Sequence, residues 1–529
     1  MSATTASSSI PARRDDAVSF KTWVGVFAAT LGAFVAVLNI QVTNAALRHI
    51  EGGIGTGGAN GAWISTSYLI GEIIIIPLAA HLSQVFSLRH YFLTNIVLFM
   101  IFSVACAFAT SLSEMVVFRG LQGVAGGIMI PLAFTIVSTM LPPSKKPIGM
   151  AGFALSATFA PAIGPSIGGY VTENFGWQYI FYLNIVPCIV MLFALAWTLK
   201  REPMKLGLLK SGDWNGIAFM AIGLAALQTV LEEGNQNDWF NSAFILQLTV
   251  TAVVALSLFV WIELTKSNPV VNLRLLTQRN FGIGTFSNFF LGFGLYGSGY
   301  LLSVYLTTSH GYSAEQIGAV LMWTGLPQLV IIPFIPKLMG RFDNRVMVGV
   351  GLLTFAASCF MNLWMSRDYA ADQLLVPNIV RALGMSLVMT PLSALAMIGV
   401  SAVDTGSASG LFNMMRNLGG AVGTATLFTF FTKREQFHSS VINTHVSVMD
   451  PVTRDRLAEL KQSFMSNGVA DPVEAGHKAM LAIGKTIRGQ AELMGFSDTF
   501  LLLGVMLLLG AVSVMFLKKG VGNSAAGAH

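Results

Sequence analysis

Charge is what this chain has least of. Asp, Glu, Lys and Arg make up 11% of its 529 residues, against about a quarter of an average soluble domain, too few to clothe a water-facing fold of this length. Cysteine is scarcer still. Cys106, Cys188 and Cys359 are the three present, and each lies in an apolar run. A disulfide framework and a thiolate metal centre are therefore excluded, which leaves small apolar packing as their role. The chain has no Walker-type phosphate loop, which excludes ATP-driven transport within it, and no nucleophile, base and orienting group at catalytic spacing. Neither enzyme activity nor a bound cofactor is expected.

What the chain has instead is apolar length. Hydrophobic residues make up 54% of it, and they gather into runs of about 20, each enough at 1.5 Å per residue to cross a bilayer core of about 30 Å. Fourteen such runs can be traced, the first near 22–47 and the last near 497–517. The expected fold class is an all-α membrane protein seated in a lipid bilayer. A formal charge of +6 invites a nucleic-acid partner, but the basic residues alternate along the chain rather than forming a patch. With the N-terminus inside, inward segments hold Arg13, Arg14 and Lys21, then Arg89, Lys145 and Lys146, a cluster at Lys200, Arg201, Lys205 and Lys210, and finally Lys518 and Lys519. Short outward loops hold only Arg48 and Arg367. The positive-inside rule then puts both termini in the cytoplasm and leaves no support for nucleic-acid binding. The arginine pair at 13–14 precedes a first run of about 26 residues, longer than a secretory signal needs, so a retained helix is expected.

Leu82, Phe86 and Arg89 after the second run recur as Leu338, Phe342 and Arg345 after the tenth, and Arg119 with Pro131 in the fourth recurs as Arg381 with Pro391 in the twelfth. With runs seven and eight set aside as an insertion, both matches fall at equivalent places of two six-helix halves, the parallel-repeat pattern of many transporters. The expected organisation is a cytoplasmic tail at 1–20, an N-terminal six-helix bundle at 21–199, a linker with two extra transmembrane helices at 200–280, and a C-terminal six-helix bundle at 281–529. The last includes an extracytoplasmic loop at 433–496. In it, Asp450-Pro451 and Asp471-Pro472 each set a capping carboxylate before a proline at a helix start, and Leu457, Leu460 and Phe464 form one apolar stripe.

An ionisable side chain near the bilayer centre costs about 2.5–3.5 kcal/mol on insertion scales, so each needs a partner or a purpose. Glu72 lies midway along the second run with Ser65 and Tyr68 on its helical face. A carboxyl there suits proton loading and release; the alternative is a structural pairing with an arginine. Arg119 shares a face of the fourth run with Gln122. It cannot release its own proton, so it either stabilises a deprotonated carboxylate or anchors packing. Asn413 and Arg416 sit together on the thirteenth run as polar candidates for a central cavity. Asn39, Gln41 and Asn44 alternate along the end of the first as a lining face. On the ninth, Phe286, Phe289, Phe293, Tyr296 and Tyr300 recur at helical spacing, an aromatic face for a hydrophobic substrate or for lipid.

The decapeptide Ala160 to Gly169 puts Pro161, Gly164, Pro165, Gly168 and Gly169 inside the fifth run, where only close packing or bending would keep them. Its stretch Gly-Pro-x-x-Gly-Gly at 164–169 resembles the antiporter motif of major facilitator superfamily exporters. Trp63 to Leu69, Phe175 to Asn184, Asp213-Trp-Asn-Gly216 and Gly410 to Gly420 match in order. With fourteen runs, the chain resembles the drug:proton antiporter family of EmrB and QacA type over nearly its whole length. That resemblance implies a major facilitator fold with two extra central helices. It also implies proton-gradient-driven export of hydrophobic or amphipathic small molecules by alternating access, as in multidrug efflux pumps of the bacterial cytoplasmic (inner) membrane. A periplasmic adaptor protein is the partner it implies for the outer segment. It assigns Arg119 to proton release, and Arg89 and Arg345 to inner-gate loops. Two departures stand out. Where the family carries an aspartate in LDxTIVNVALP, this chain has Asn39, an amide that does not titrate near neutral pH, so coupling falls to Glu72 with Arg119. The first gate loop has lost its usual glycine and aspartate and keeps only Arg89. Dedicated export of one endogenous metabolite, such as a lipid or siderophore, and a coupling-deficient sensor or scaffold are the alternatives.

Overall fold

The computed structural model describes residues 18–56, 58–210, 213–266, 269–401, 404–447 and 449–519. Most of the expected tail, with Arg13 and Arg14, lies outside them. In lipid each backbone polar group must be satisfied within its own segment, and the apolar runs accordingly form helices. The first half comprises α1 (Phe20–Ile54), α2 (Trp63–Val85), α3 (Leu88–Ala107), α4 (Leu112–Met140), α5 (Lys146–Phe175) and α6 (Tyr179–Thr198). In it α1 packs on α4, α5 and α6, and α4 on α2 and α3. The insertion is α7 (Trp214–Glu233) with α8 (Ala243–Thr265), packed on each other. The second half comprises α9 (Arg279–His310), α10 (Ala314–Met339), α11 (Asn344–Trp364), α12 (Ala371–Ala396), α13 (Thr405–His445) and, after the short α14 (Pro451–Ser466), α15 (Pro472–Val514). Here α9 packs on α12, α13 and α15, and α11 on α12 and α15.

Thirteen of the described helices are long and apolar enough to cross a membrane. The fourteenth expected span is α13, whose 41 residues include Asn413, Arg416 and Asn417 and a polar final third. It packs on α2, α4, α9 and α15 at the centre of the protein. The two halves meet where α2 and α4 lie on α13 and where α5 lies on α10 and α12.

The segment expected as one loop at 433–496 is mostly the projecting ends of two spanning helices. α13 runs on to His445 and α15 begins at Pro472, with α14 folded back on α15. Both proline caps form. The Asp450 carboxylate accepts from the Thr453 backbone N–H at 3.1 Å, and that of Asp471 from Val473 at 3.0 Å. Leu457, Leu460 and Phe464 are half-buried on this hairpin, so the apolar stripe is largely used within the chain. At its base Asp498 Oδ2 takes Arg434 Nε at 2.6 Å and His438 Nε2 at 2.7 Å.

The expected gate arginines act inside their own halves. Arg89 Nη1 donates to the Leu199 carbonyl at 2.8 Å, and Arg345 Nη1 to that of Leu517 at 3.2 Å. Each therefore ties the loop after the second helix of its half to the end of the last, at equivalent positions of the repeat. Arg345 also grips Asp343 at 2.8 Å and holds that carboxyl below its ordinary value. With no aspartate left in the first loop, the Arg89 guanidinium turns to a carbonyl at the end of its own half.

α2 and α4 touch backbone to backbone at Gly123, where a Cβ would run into the Tyr68 carbonyl. That contact sets Glu72 and Tyr68 against the polar face of α4. Overpacking a tight site costs about 1–3 kcal/mol, so Gly123→Ala should lower the melting temperature of the purified protein by several degrees. Gly152→Ala, where a Cβ would meet nothing within 4 Å, should leave it unchanged.

Candidate functional site

One group of the polar side chains that this fold buries lies on α1, α2, α4 and α13. α4 starts at a capped turn, with Ser111 Oγ accepting from the Glu114 backbone N–H at 3.3 Å, and two turns later it buries Arg119 to 1% exposure. The guanidinium is well provided for. Its Nη1 donates to Asn39 Oδ1 at 2.6 Å and to Gln122 Oε1 at 2.5 Å, and its Nε to the Ile64 carbonyl at 3.3 Å. It also lies 4.3 Å from the centre of the Tyr68 ring, whose hydroxyl reaches the Ala36 carbonyl. Gln122 Nε2 continues the chain to Ser103 Oγ at 2.6 Å. Asn39 therefore takes the position beside Arg119 that an aspartate would take, and serves it as a neutral acceptor.

Glu72 is not part of that cluster. Its carboxyl is 2% exposed, and Oε1 accepts from Asn417 Nδ2 of α13 at 3.0 Å, across the seam between the halves. Oε2 has no hydrogen-bond partner. Arg416 is buried on α13 one residue before Asn417, and none of its three guanidinium nitrogens has a hydrogen-bond partner. Buried polar groups are rarely left so. Asn413 keeps to its own helix, donating to the Ser409 carbonyl at 2.9 Å.

The repeat that aligns Phe86 with Phe342 and Arg89 with Arg345 places Gln328 of α10 at the counterpart of Glu72. Gln328 is fully buried, and its Oε1 accepts from Thr158 of α5, again across the seam. The two halves thus exchange hydrogen bonds at two repeat-related points, and one of the two carries a titratable group. Sequence reasoning singled out Glu72 but not Asn417, Gln328 or Thr158. The repeat register held the signal for Gln328; nothing local distinguishes Asn417 from its neighbours.

Other candidates spread out. Asn44 is exposed and accepts from Ser65 Oγ at 2.6 Å, while Gln41 packs on Gly164. The expected aromatic face divides because α9 is surrounded on several sides. Phe286 is 52% exposed on the lipid side, Phe293 is buried in the α9–α13 seam, and Tyr300 meets Phe428 edge-on at 5.8 Å. Tyr296 packs on Gly420 of α13, one turn after Arg416. The segment 160–169 lies between the halves: Gly164 and Gly168 pack on α1, and Gly169 packs on the first turn of α10. Pro161 and Pro165 bend no helix end here, since both lie within the continuous α5.

Comparison with known proteins agrees with this architecture. Residues 29–424 match the family model of the Major Facilitator Superfamily. The Acinetobacter baumannii colistin resistance protein EmrB is 31% identical over 94% of this chain and 97% of its own length. The Neisseria gonorrhoeae fatty acid resistance protein FarB is 29% identical over 94% and 96%, and the Escherichia coli K12 multidrug export protein EmrB is 28% identical over 95% and 97%. Among solved structures, the proton:xylose symporter XylE is alike in fold, with a TM-score of 0.60 at 15% identity over 95% of this chain and 97% of that one. The chain belongs to the major facilitator superfamily and, within it, to the EmrB-type efflux transporters, and is not an enzyme.

Proposed function

We propose that the chain exports hydrophobic or amphipathic organic molecules from the bacterial cytoplasm in exchange for protons, with Glu72 as the proton carrier. One observation carries this reading: Glu72 is the buried carboxyl at the seam, bonded to the opposite half through a neutral amide, with one oxygen unpaired. A hydrogen bond to a carboxylate is about twice as strong as one to a neutral acceptor. Loading a proton onto Glu72 therefore loosens the Asn417 contact, and losing it tightens the contact. Substrate and proton then favour opposite orientations of the halves, each in proportion to its differential affinity for them. Arg416 stabilises the unprotonated carboxylate, and Arg119, with its three hydrogen bonds, holds α1, α2 and α4 together around Asn39.

Direction rests on the antiporter motif, whose segment separates the halves opposite α10, and on the basic residues that mark one end of the bundle as cytoplasmic. The relatives named for colistin, fatty acid and multidrug resistance support an amphipathic cargo. A projecting hairpin built from α13, α14 and α15 is where a periplasmic adaptor would dock. A coupling-deficient scaffold is the second reading, because Asn39 satisfies Arg119 without any charge to exchange.

Glu72→Gln in reconstituted vesicles separates the two. Proton-driven transport should fall by about tenfold or more, as expected for loss of a proton-transfer group, while substrate counterflow persists. Unchanged proton-driven transport would remove Glu72 from the mechanism, and absence of flux in the unaltered protein would favour the scaffold.

The two arginines should part in their phenotypes. Arg119→Gln orphans buried acceptors at about 1–3 kcal/mol each, so thermal stability should drop. Arg416→Gln has no hydrogen bond to lose and should keep its melting temperature while proton release on substrate addition slows. The reverse assignment of effects would contradict this division of roles.

A further inference from the structure

The two inserted helices have no counterpart in the repeat, and the first of them brings buried acid that the central site does not use. α7 ends in Glu232 and Glu233. Glu233 is 2% exposed, and its Oε1 accepts from Thr66 Oγ1 of α2 at 3.1 Å. Two residues further on, Asn235 Nδ2 donates to Thr429 Oγ1 of α13 at 3.0 Å, and Trp239 Nε1 donates to the same oxygen at 3.1 Å. α2 belongs to one half and α13 to the other. One end of α7 is thus bonded to both halves at once, at the end that the charge distribution marks as outer.

The turn that makes the second bond is strained. Asp238 and Trp239 follow one another with φ of 55° and 51°, a left-handed conformation that non-glycine residues keep only where their surroundings fix it. Here the Trp239 backbone N–H bonds to the Gly234 carbonyl at 2.7 Å, and Asn241 Nδ2 to Asp238 Oδ2 at 2.8 Å. The strain delivers the indole N–H to Thr429. The acids themselves lack a counter-charge. Glu232 is next to Glu233 in the chain and accepts from Gln228 Nε2 at 3.1 Å. Among the described residues no Lys, Arg or His forms an ion pair with either carboxyl.

We propose that α7 is a latch across the outer ends of the two halves, and that Glu233 is a second proton-binding carboxyl of the transport cycle whose protonation frees the latch from α2. The Thr66 bond to an ionised Glu233 is charge-assisted, and a proton arriving from the outer water removes that assistance. Acid on the side from which protons enter then favours opening on that side, where cargo leaves. Direction here rests on the proposed proton-driven export; the latch itself rests on the bonds to Thr66 and Thr429.

Spin labels on Glu173→Cys at the end of α5 and Thr308→Cys at the end of α9, both exposed positions on opposite halves, report the outer opening, since the three native cysteines are buried. Their distance distribution would be measured in nanodiscs from about pH 8 to about pH 5, a range that perturbed carboxyls reach. The wide population should grow as pH falls in the otherwise unaltered chain. Glu233→Gln should hold it wide at every pH, whereas Trp239→Phe, which keeps the ring but loses the donor, should raise it while keeping the pH response. A Glu233→Gln profile that follows the unaltered one overturns the proposal, as does a Trp239→Phe variant with an unchanged distribution. Glu72→Gln in the same labelled background should still open with acid, so failure of the central assignment in transport assays and failure of the latch are read separately.

Discussion

The hydrogen bond from Asn417 to Glu72 is the interaction on which the rest of this protein depends. It joins a buried carboxyl on one half to a half-buried amide on the other, and its strength changes with one proton. An arginine in the place of Asn417 would lock the carboxyl permanently, and a leucine would leave it unsolvated and neutral. A neutral donor leaves both protonation states within reach. Arg416, one residue before Asn417, is buried and makes no direct bond to the carboxyl, so it does not clamp it.

Within each half the bonds are of another kind. Arg119 has three partners on α1, α2 and α4, and Arg89 and Arg345 tie loops to the ends of their own bundles. Across the seam the contacts are small side chains and neutral hydrogen bonds, such as Thr158 to Gln328 and Ser409 Oγ to the Pro131 carbonyl at 3.0 Å. Two stiff bodies meeting over exchangeable contacts is what rocking about a midplane site requires. The glycines of 164–169 fit this division, because they allow α5 to lie on α1 inside its half and on α10 outside it.

Much of this was legible in the sequence because lipid leaves few choices. Apolar length gives spans, and an acid within one is conspicuous, so Glu72 and Arg119 were found without a structure. The Asp-Pro starts at 450 and 471 were equally plain, since a capping carboxylate before a proline has one common use. The repeat was visible at Arg89 and Arg345, but their partners were not: backbone carbonyls of Leu199 and Leu517 carry no sequence signal. Asn417 was hidden for a related reason, since an amide inside a polar span looks like any other until its neighbour across the seam is known. The aromatic row on α9 left its partner open because helical spacing defines a face, not what lies opposite it. The reach of α13 to His445 was missed because hydropathy reports where lipid ends, and the helix continues past that point on its capped, hairpin-packed extension.

The central claim is that substrate and proton compete through the Glu72 carboxyl. Difference infrared spectroscopy of the reconstituted protein on substrate addition at fixed pH observes that carboxyl directly. A loss of protonated-carboxyl C=O absorbance that accompanies proton release, and that disappears in Glu72→Gln, is the predicted result. Saturating substrate with no change in that band would contradict it.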